Sequence, residues 1–232
     1  MPALKQMKNH IIIVAGGKGL RMNTSLPKQF IAIKGKPILM HTIEAFFRCD
    51  SQMQIVVVLP ESDIVFWKEL CATHSFSVNH EIAIGGETRF DSVQNGLKKI
   101  NGEGLVAIHD GVRPFVSNET IQRCFQTAAE TGNAIPAVEL VDSIRKVENG
   151  RNIAVNRTEY KLIQTPQVFD VKKIKDAYKT ASTENKSMFT DDACVFEFAG
   201  YSIHLVEGNR ENIKITTTFD LIVAEAILEF NL

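Results

Sequence analysis

Two stretches near the start of the chain are almost continuously apolar. His10-Ile-Ile-Ile-Val-Ala15 and Gln54-Ile-Val-Val-Val-Leu59 are rich in β-branched residues. Runs that are apolar on both faces suit central strands of a parallel sheet covered by helices. Leu105-Val-Ala-Ile-His109 and Ala134-Ile-Pro-Ala-Val138 predict a third and a fourth strand. Between them the periodicity changes to that of helices, over Ile38–Phe47, Ser62–Ala72, Thr88–Ile100 and Asn118–Thr131. In the last of these Ile121, Phe125 and Ala128 recur at helical spacing, and Ser117 or Asn118 can cap the start. Strand and helix alternate, which predicts an α/β fold: a Rossmann-like, mainly parallel sheet flanked by helices.

From about Asp142 the rhythm breaks. Ser143–Val147, the polar turn Glu148-Asn149-Gly150 and Asn152–Asn156 read as a hairpin whose strands mix charged and apolar residues. It fits a projecting arm, placed at about 139–158, and an ordinary surface hairpin equally well. Beyond it the pattern predicts an extended segment over Leu162–Phe169, helices at Val171–Thr183 and near Asp191–Ala199, a strand at Ser202–Val206 and a closing helix over Phe219–Phe230. No repeat or Gly/Pro/Ser-rich linker divides the chain, so residues 1–232 are expected to form one domain with an arm.

Composition narrows the partners. The chain has 232 residues, 44% of them hydrophobic and 23% charged, with 26 Lys and Arg against 27 Asp and Glu. That balance argues against a nucleic-acid coat or a polybasic membrane anchor, so any anion must bind in a local site. Cys49, Cys71, Cys124 and Cys194 lie far apart without CxxC spacing, which argues against zinc ribbons and thioredoxin-type redox motifs. No apolar run approaches the roughly 20 residues that cross a bilayer. The chain is expected to be cytoplasmic, with no membrane or nucleic-acid partner.

The candidate chemistry begins where the first strand ends. Ala15-Gly16-Gly17-Lys18-Gly19-Leu20-Arg21-Met22 leaves its carboxyl end and runs on to Pro27-Lys28. Ligands of open α/β sheets bind at that edge. Clustered glycines let the backbone approach a phosphate, and Arg21 and Lys28 add positive charge. Neither a Walker A closure nor the third glycine of a dinucleotide fingerprint is present. A tight turn with incidental surface cations is the plainer reading of a lone glycine-rich turn, but the two cations and the strand-end position count against it.

The loop, followed by Leu26-Pro-Lys-Gln-Phe30, resembles the signature of nucleotidyltransferases that activate sugars and polyols, in the branch that contains 2-C-methyl-D-erythritol 4-phosphate cytidylyltransferase. Further blocks follow in order: Gly85-Gly-Glu-Thr-Arg-Phe-Asp-Ser92, His109-Asp-Gly-Val-Arg-Pro114, Thr165-Pro-Gln167, Thr190-Asp-Asp192 and Val206-Glu-Gly-Asn-Arg-Glu-Asn-Ile-Lys214. The resemblance implies transfer of CMP from CTP to a polyol phosphate. Arg21 and Lys28 would stabilise the transition state, and Ala15, Gly16, Gly17, Gly19, Gly86, Ser92, Asp110 and Gly111 would bind the nucleotide. Asp110 would hold Mg²⁺ or another divalent cation. Arg157 and Lys214 would orient the acceptor phosphate, helped by Ser143, Thr165, Thr190 and Arg113. In relatives the arm crosses to a neighbouring subunit, which implies a homodimer with shared active sites.

Some readings compete. Val112 before Arg-Pro is similar to ribitol-5-phosphate cytidylyltransferases, while the Thr-Asp-Asp and Asn-Ile-Lys blocks favour methylerythritol phosphate. Val14 replaces a proline and Gly16 an alanine that many relatives carry, and neither change removes a charge. A nicotinamide-dependent dehydrogenase lacks its third glycine, and a nucleotide sensor has no need of a second phosphate clamp. His109 reads as a packed strand-end residue, Arg89 and Asp91 as an exposed pair, and Arg145 and Lys146 as solvated arm charges.

Overall fold

The computed structural model describes residues 8–16, 26–182 and 186–230. The strands are β1 (Asn9–Val14), β2 (Ala32–Ile33), β3 (Lys36–Pro37), β4 (Gln54–Leu59), β5 (Glu81–Ile84), β6 (Leu105–Asp110), β7 (Asn133–Glu139), β8 (Arg145–Glu148), β9 (Arg151–Ala154), β10 (Lys161–Ile163), β11 (Gln167–Asp170) and β12 (Leu205–Glu207). The helices are α1 (Ile38–Cys49), α2 (Ile64–Thr73), α3 (Arg89–Leu97), α4 (Asn118–Thr131), α5 (Val171–Ala181), α6 (Asp192–Phe198) and α7 (Thr218–Phe230).

The central sheet runs β10-β7-β11-β6-β1-β4-β5, with β12 also paired to β7. β6, β1, β4 and β5 run parallel to one another, whereas β11 lies antiparallel between β6 and β7. The continuous apolar runs follow from burial on both faces. Ile11, Ile13, Val57, Leu59 and Ala107 pack with Leu39, Ile43, Phe46, Ile121 and Phe125 on one side. Their neighbours Ile12, Val56, Val58, Val106 and Ile108 pack with Phe90, Val93, Phe169 and Ile174 on the other. Each such side chain gains roughly 1.5–3 kcal/mol from full burial, which fixes the register of the sheet edge that carries the site.

Helix ends follow local chemistry. Ser117 caps α4 by accepting from Thr120 N, and Gly132 closes it in the left-handed conformation at φ +91°. Thr88 and Asp91 form a reciprocal capping box at the start of α3, and α3 ends at Leu97, short of Ile100. The 62–72 stretch opens as a 3₁₀ turn at Glu61–Asp63 before α2.

Two predicted elements differ for identifiable reasons. The extended segment over 162–169 divides into β10 and β11, because Pro166 has no N–H to continue a ladder. The strand predicted from Ser202 starts only at Leu205, because Asn133 replaces a main-chain ladder: its Nδ2 donates to Ser202 O and its Oδ1 accepts from His204 N, both at 2.9 Å. β8 and β9 form a hairpin that pairs only with itself among the described strands, with all eight residues exposed.

Candidate active site

The chain steps from β1 to β4 on one side and returns with β6 on the other, so a topological switch point lies at the carboxyl ends of β1 and β6. A cleft opens there, lined by Val14, Ala15 and Gly16 at the end of β1, by Gly86–Arg89 and Ser92 after β5, and by Asp110 and Val112 at the end of β6. Lys28, Gln29 and Lys214 complete the lining. Gly17, Gly19 and Arg21 lie outside the described residues.

Asp110 is the electrostatic centre. The residue is only 8% exposed, and its Oδ2 lies 3.0 Å from Lys214 Nζ and 3.1 Å from Arg113 Nε. Burial alone would raise its pKa, but the charges of Lys214, Arg89 and Arg113 overcome that and hold the carboxyl well below the usual carboxylate range. Arg113 is fixed from behind, because its NH1 donates to Asn212 O at 2.7 Å. Ile215 N donates to Val112 O at 3.0 Å, so the segment carrying Lys214 runs beside the Asp110–Arg113 turn. It is tied in by that main-chain bond and forms no strand.

The glycine turns are set by close approach. A Cβ on Gly86 would meet Asp91 Cβ at 2.2 Å, and one on Gly111 would meet Ala15 Cβ at 2.9 Å. Gly86 N donates to Ser92 Oγ at 3.1 Å, and Ser92 Oγ donates to Thr88 O at 3.0 Å. With its proton committed to a carbonyl, the Ser92 hydroxyl offers a ligand only an accepting lone pair.

Arg89 and Asp91 are not an exposed pair. Arg89 forms a fork on Asp192, with NH1 to Oδ1 at 2.9 Å and NH2 to Oδ2 at 2.6 Å. Asp192 is fully buried, and Tyr178 OH donates to its Oδ1 at 2.6 Å. Burial opposes the charge on Arg89, yet Asp192 beside it outweighs that and raises its pKa. Asp91 instead pairs with Lys186 at 2.5 Å. Tyr178 escaped the sequence reading, and Gln29, Arg89 and Asp192 were marked there only as members of the quoted motifs, with no role in a buried ion pair or in the cleft lining.

The acceptor-side candidates are spread more widely. Thr165 is buried behind Asp110, with its Oγ1 3.1 Å from Asp110 N and 3.0 Å from His109 Nδ1. Thr190 is exposed, its Oγ1 3.4 Å from Cys194 Sγ. Ser143 is exposed beside the hairpin, and Arg157, in the turn Arg157–Glu159, donates to Val141 O. None of these four lines the cleft of this chain.

Among the described residues no group of three His, Cys, Asp or Glu side chains could hold a metal by itself. One buried carboxylate on a cleft flanked by cations instead fits the mode of Mg²⁺ held by one protein carboxylate and substrate phosphates. The four cysteines are free thiols, and no helix among the described residues is long and apolar enough to cross a membrane.

The sequence model of the 2-C-methyl-D-erythritol 4-phosphate cytidylyltransferase family matches residues 9–230. The protein of that name from Bacteroides thetaiotaomicron is 54% identical over 222 residues, covering 96% of this chain and 100% of the relative. Its counterpart from Bacteroides fragilis is 56% identical over 217 residues, covering 94% and 98%. Among solved structures, 4-diphosphocytidyl-2C-methyl-D-erythritol synthase from Anaerococcus prevotii superposes with a TM-score of 0.83 at 31% identity, covering 96% of each chain. The cytidylyltransferase from Thermus thermophilus gives 0.78 at 30% identity, covering 96% of this chain and all of that one.

Proposed function

The chain belongs to the 2-C-methyl-D-erythritol 4-phosphate cytidylyltransferase family, and on that premise we propose that its cleft transfers CMP from CTP to 2-C-methyl-D-erythritol 4-phosphate. The products are 4-CDP-2-C-methyl-D-erythritol and pyrophosphate, in non-mevalonate synthesis of isoprenoid precursors. One observation carries the assignment of the site: Asp110 bridges Arg113 and Lys214 directly beside the Ala15-Gly16 and Gly86 turns.

An acceptor phosphate oxygen attacks the α-phosphorus, the bond to the β-phosphate breaks, and pyrophosphate leaves with that electron pair. The acceptor phosphate loses its last proton near pH 6, so a general base is unnecessary, and catalysis is positioning and charge neutralisation. Lys28, with Arg21, stabilises charge at the α-phosphate. Lys214 receives the acceptor phosphate, and its ion pair with Asp110 places it at the cleft mouth. The accepting lone pair of Ser92 matches the exocyclic amine of cytosine and opposes the carbonyl that uracil presents there. Asp110 would hold Mg²⁺, which would neutralise charge on the nucleotide phosphates when bound.

The test is pyrophosphate release with CTP or UTP and Mg²⁺, supplying methylerythritol 4-phosphate and ribitol 5-phosphate separately. Release is expected only with CTP and methylerythritol phosphate. The ribitol reading suggested by Val112 is not favoured by the relatives, which carry the methylerythritol name, and preferential use of ribitol phosphate would overturn this choice of acceptor.

A homodimer with shared sites is part of this reading. Ser143 and Arg157 lie at the hairpin, away from the cleft lining, and the hairpin exposes Val147 at 72% and Ile153 at 61%. A second copy that covers these residues can bring Arg157 to the cleft of its neighbour. Lys28→Ala and Arg157→Ala, each inactive alone, are then expected to complement on mixing. Random exchange puts one intact site on half of the dimers, restoring about a quarter of the parental activity. No recovery after verified subunit exchange would place each site within one chain.

A further inference from the structure

Behind the cleft, three hydrogen bonds form a chain whose direction is set by its ends. His109 is fully buried, and its Nε2 lies 2.9 Å from Arg113 O. A carbonyl only accepts, so Nε2 carries the ring proton and Nδ1 is a bare acceptor. Thr165 Oγ1, 3.0 Å from Nδ1, must therefore donate its proton to the ring. The same oxygen then accepts from Asp110 N at 3.1 Å. Two contacts hold the chain still: the His109 ring meets Phe46 edge-on at 4.8 Å, and Asn212 Nδ2 donates to Thr165 O at 2.8 Å. The ring is fully buried and its two polar neighbours are a carbonyl and a hydroxyl, a setting that suits the neutral imidazole this pattern of donors describes.

The chain grips both ends of the Asp110–Arg113 turn, the amide of the first residue and the carbonyl of the last. It also removes Thr165 from phosphate binding, because a phosphate dianion offers only acceptors and the one proton of this hydroxyl is already given. We propose that His109 and Thr165 are positioning residues, which hold the Asp110 carboxylate at the cleft and Arg113 in place as its partner, and that Thr165 does not bind the acceptor phosphate. This rests on the reading that Asp110 serves the nucleotide and its metal.

The experiment is a double-mutant cycle on the full chain, with Thr165→Val, Asp110→Asn and the pair, reading KM for each substrate separately. Thr165→Val keeps the shape and orphans one buried N–H. It is expected to lower kcat/KM for CTP about tenfold while the acceptor KM stays within about twofold. In the Asp110→Asn background it adds less than about twofold, because its effect runs through that carboxylate. Thr165→Ser retains the parental constants. His109→Asn, whose Oδ1 can stand in for Nδ1, gives a smaller loss than His109→Phe. In ¹⁵N-histidine spectra the parental ring shows the Nε2–H tautomer, and Thr165→Val perturbs the Nδ1 resonance. A tenfold rise in acceptor KM with the CTP constants unchanged would overturn the proposal, as would full multiplication of the two losses. Near-normal turnover by Asp110→Asn would overturn the reading of the site itself, and the positioning role with it. A crippled Asp110→Asn with an additive Thr165→Val rejects the positioning role alone.

Discussion

Lys28→Ala is expected to lower kcat by 10² to 10³, on the order of 3–4 kcal/mol, the loss that follows removal of one preorganised donor from developing transition-state charge. The side chain stands on a rigid base. Pro27 O accepts from Phe30 N at 2.9 Å, and Lys28 opens the 3₁₀ turn that this bond closes. Phe30 is buried, stacked on Trp67 at 6.0 Å and edge-on to Phe66 at 5.4 Å. Gln29 is buried as well. The turn is thus anchored by core packing while Lys28 lines the cleft. Such a base gives an ammonium the placement that electrostatic catalysis needs. Because the charge acts chiefly as negative charge builds at the α-phosphate, KM for CTP should change far less than kcat. The melting temperature should stay within a few degrees, since the side chain is only half-buried. Single-turnover formation of the CDP product measures the chemical step directly, and turnover near the parental value would remove Lys28 from that step.

The parts of this molecule that were legible in the sequence are those governed by short-range rules. Ile11–Ile13 and Ile55–Leu59 announce buried parallel strands because both faces of each must be apolar. Ser117 announces a helix start because its hydroxyl satisfies a free amide three residues on. The cleft was legible too, through glycines placed directly after strands. What stayed hidden depends on partners far apart in the chain. Arg89 and Asp91 look like solvated neighbours in Gly-Glu-Thr-Arg-Phe-Asp, yet the partner of Arg89 lies 103 residues away and that of Asp91 lies 95 away. Asn133 displaces a strand through side-chain bonds to residues 69 and 71 positions distant. The resemblance gives Thr165 to the acceptor phosphate, whereas the proposed chain of bonds rests on partners that only the fold brings together, His109 Nδ1 and Asp110 N, 56 and 55 residues away. A pattern reports what a residue type can do, and the tertiary partners decide which of its bonds remain for a ligand.

Asp192→Ala is expected to destabilise the protein by about 3–5 kcal/mol, the cost of breaking a buried ion pair from one side. For a chain of this size that is a fall in melting temperature of about 6–20 °C. The carboxylate takes two bonds from Arg89 and one from Tyr178, so its removal strands a half-buried guanidinium and a buried phenol together. Asp192→Asn should cost less, because its amide oxygen can still accept from one of them. A buried pair is seldom the most stable use of such a space. Replacing it by apolar groups of similar volume is often neutral or better. Arg89→Met with Asp192→Leu and Tyr178→Phe should therefore recover most of the lost stability. It should not recover binding of CTP, because Arg89 lines the cleft and its charge reaches Asp110. On the proposed reading the pair then holds a cation where the anionic nucleotide would arrive, at a cost in stability that an apolar core would avoid. Thermal unfolding and calorimetric titration with CTP, run on the same four proteins, separate the two roles. A melting temperature within about 2 °C of the parent for Asp192→Ala would refute the structural half. Parental CTP affinity in the triple variant would refute the electrostatic half.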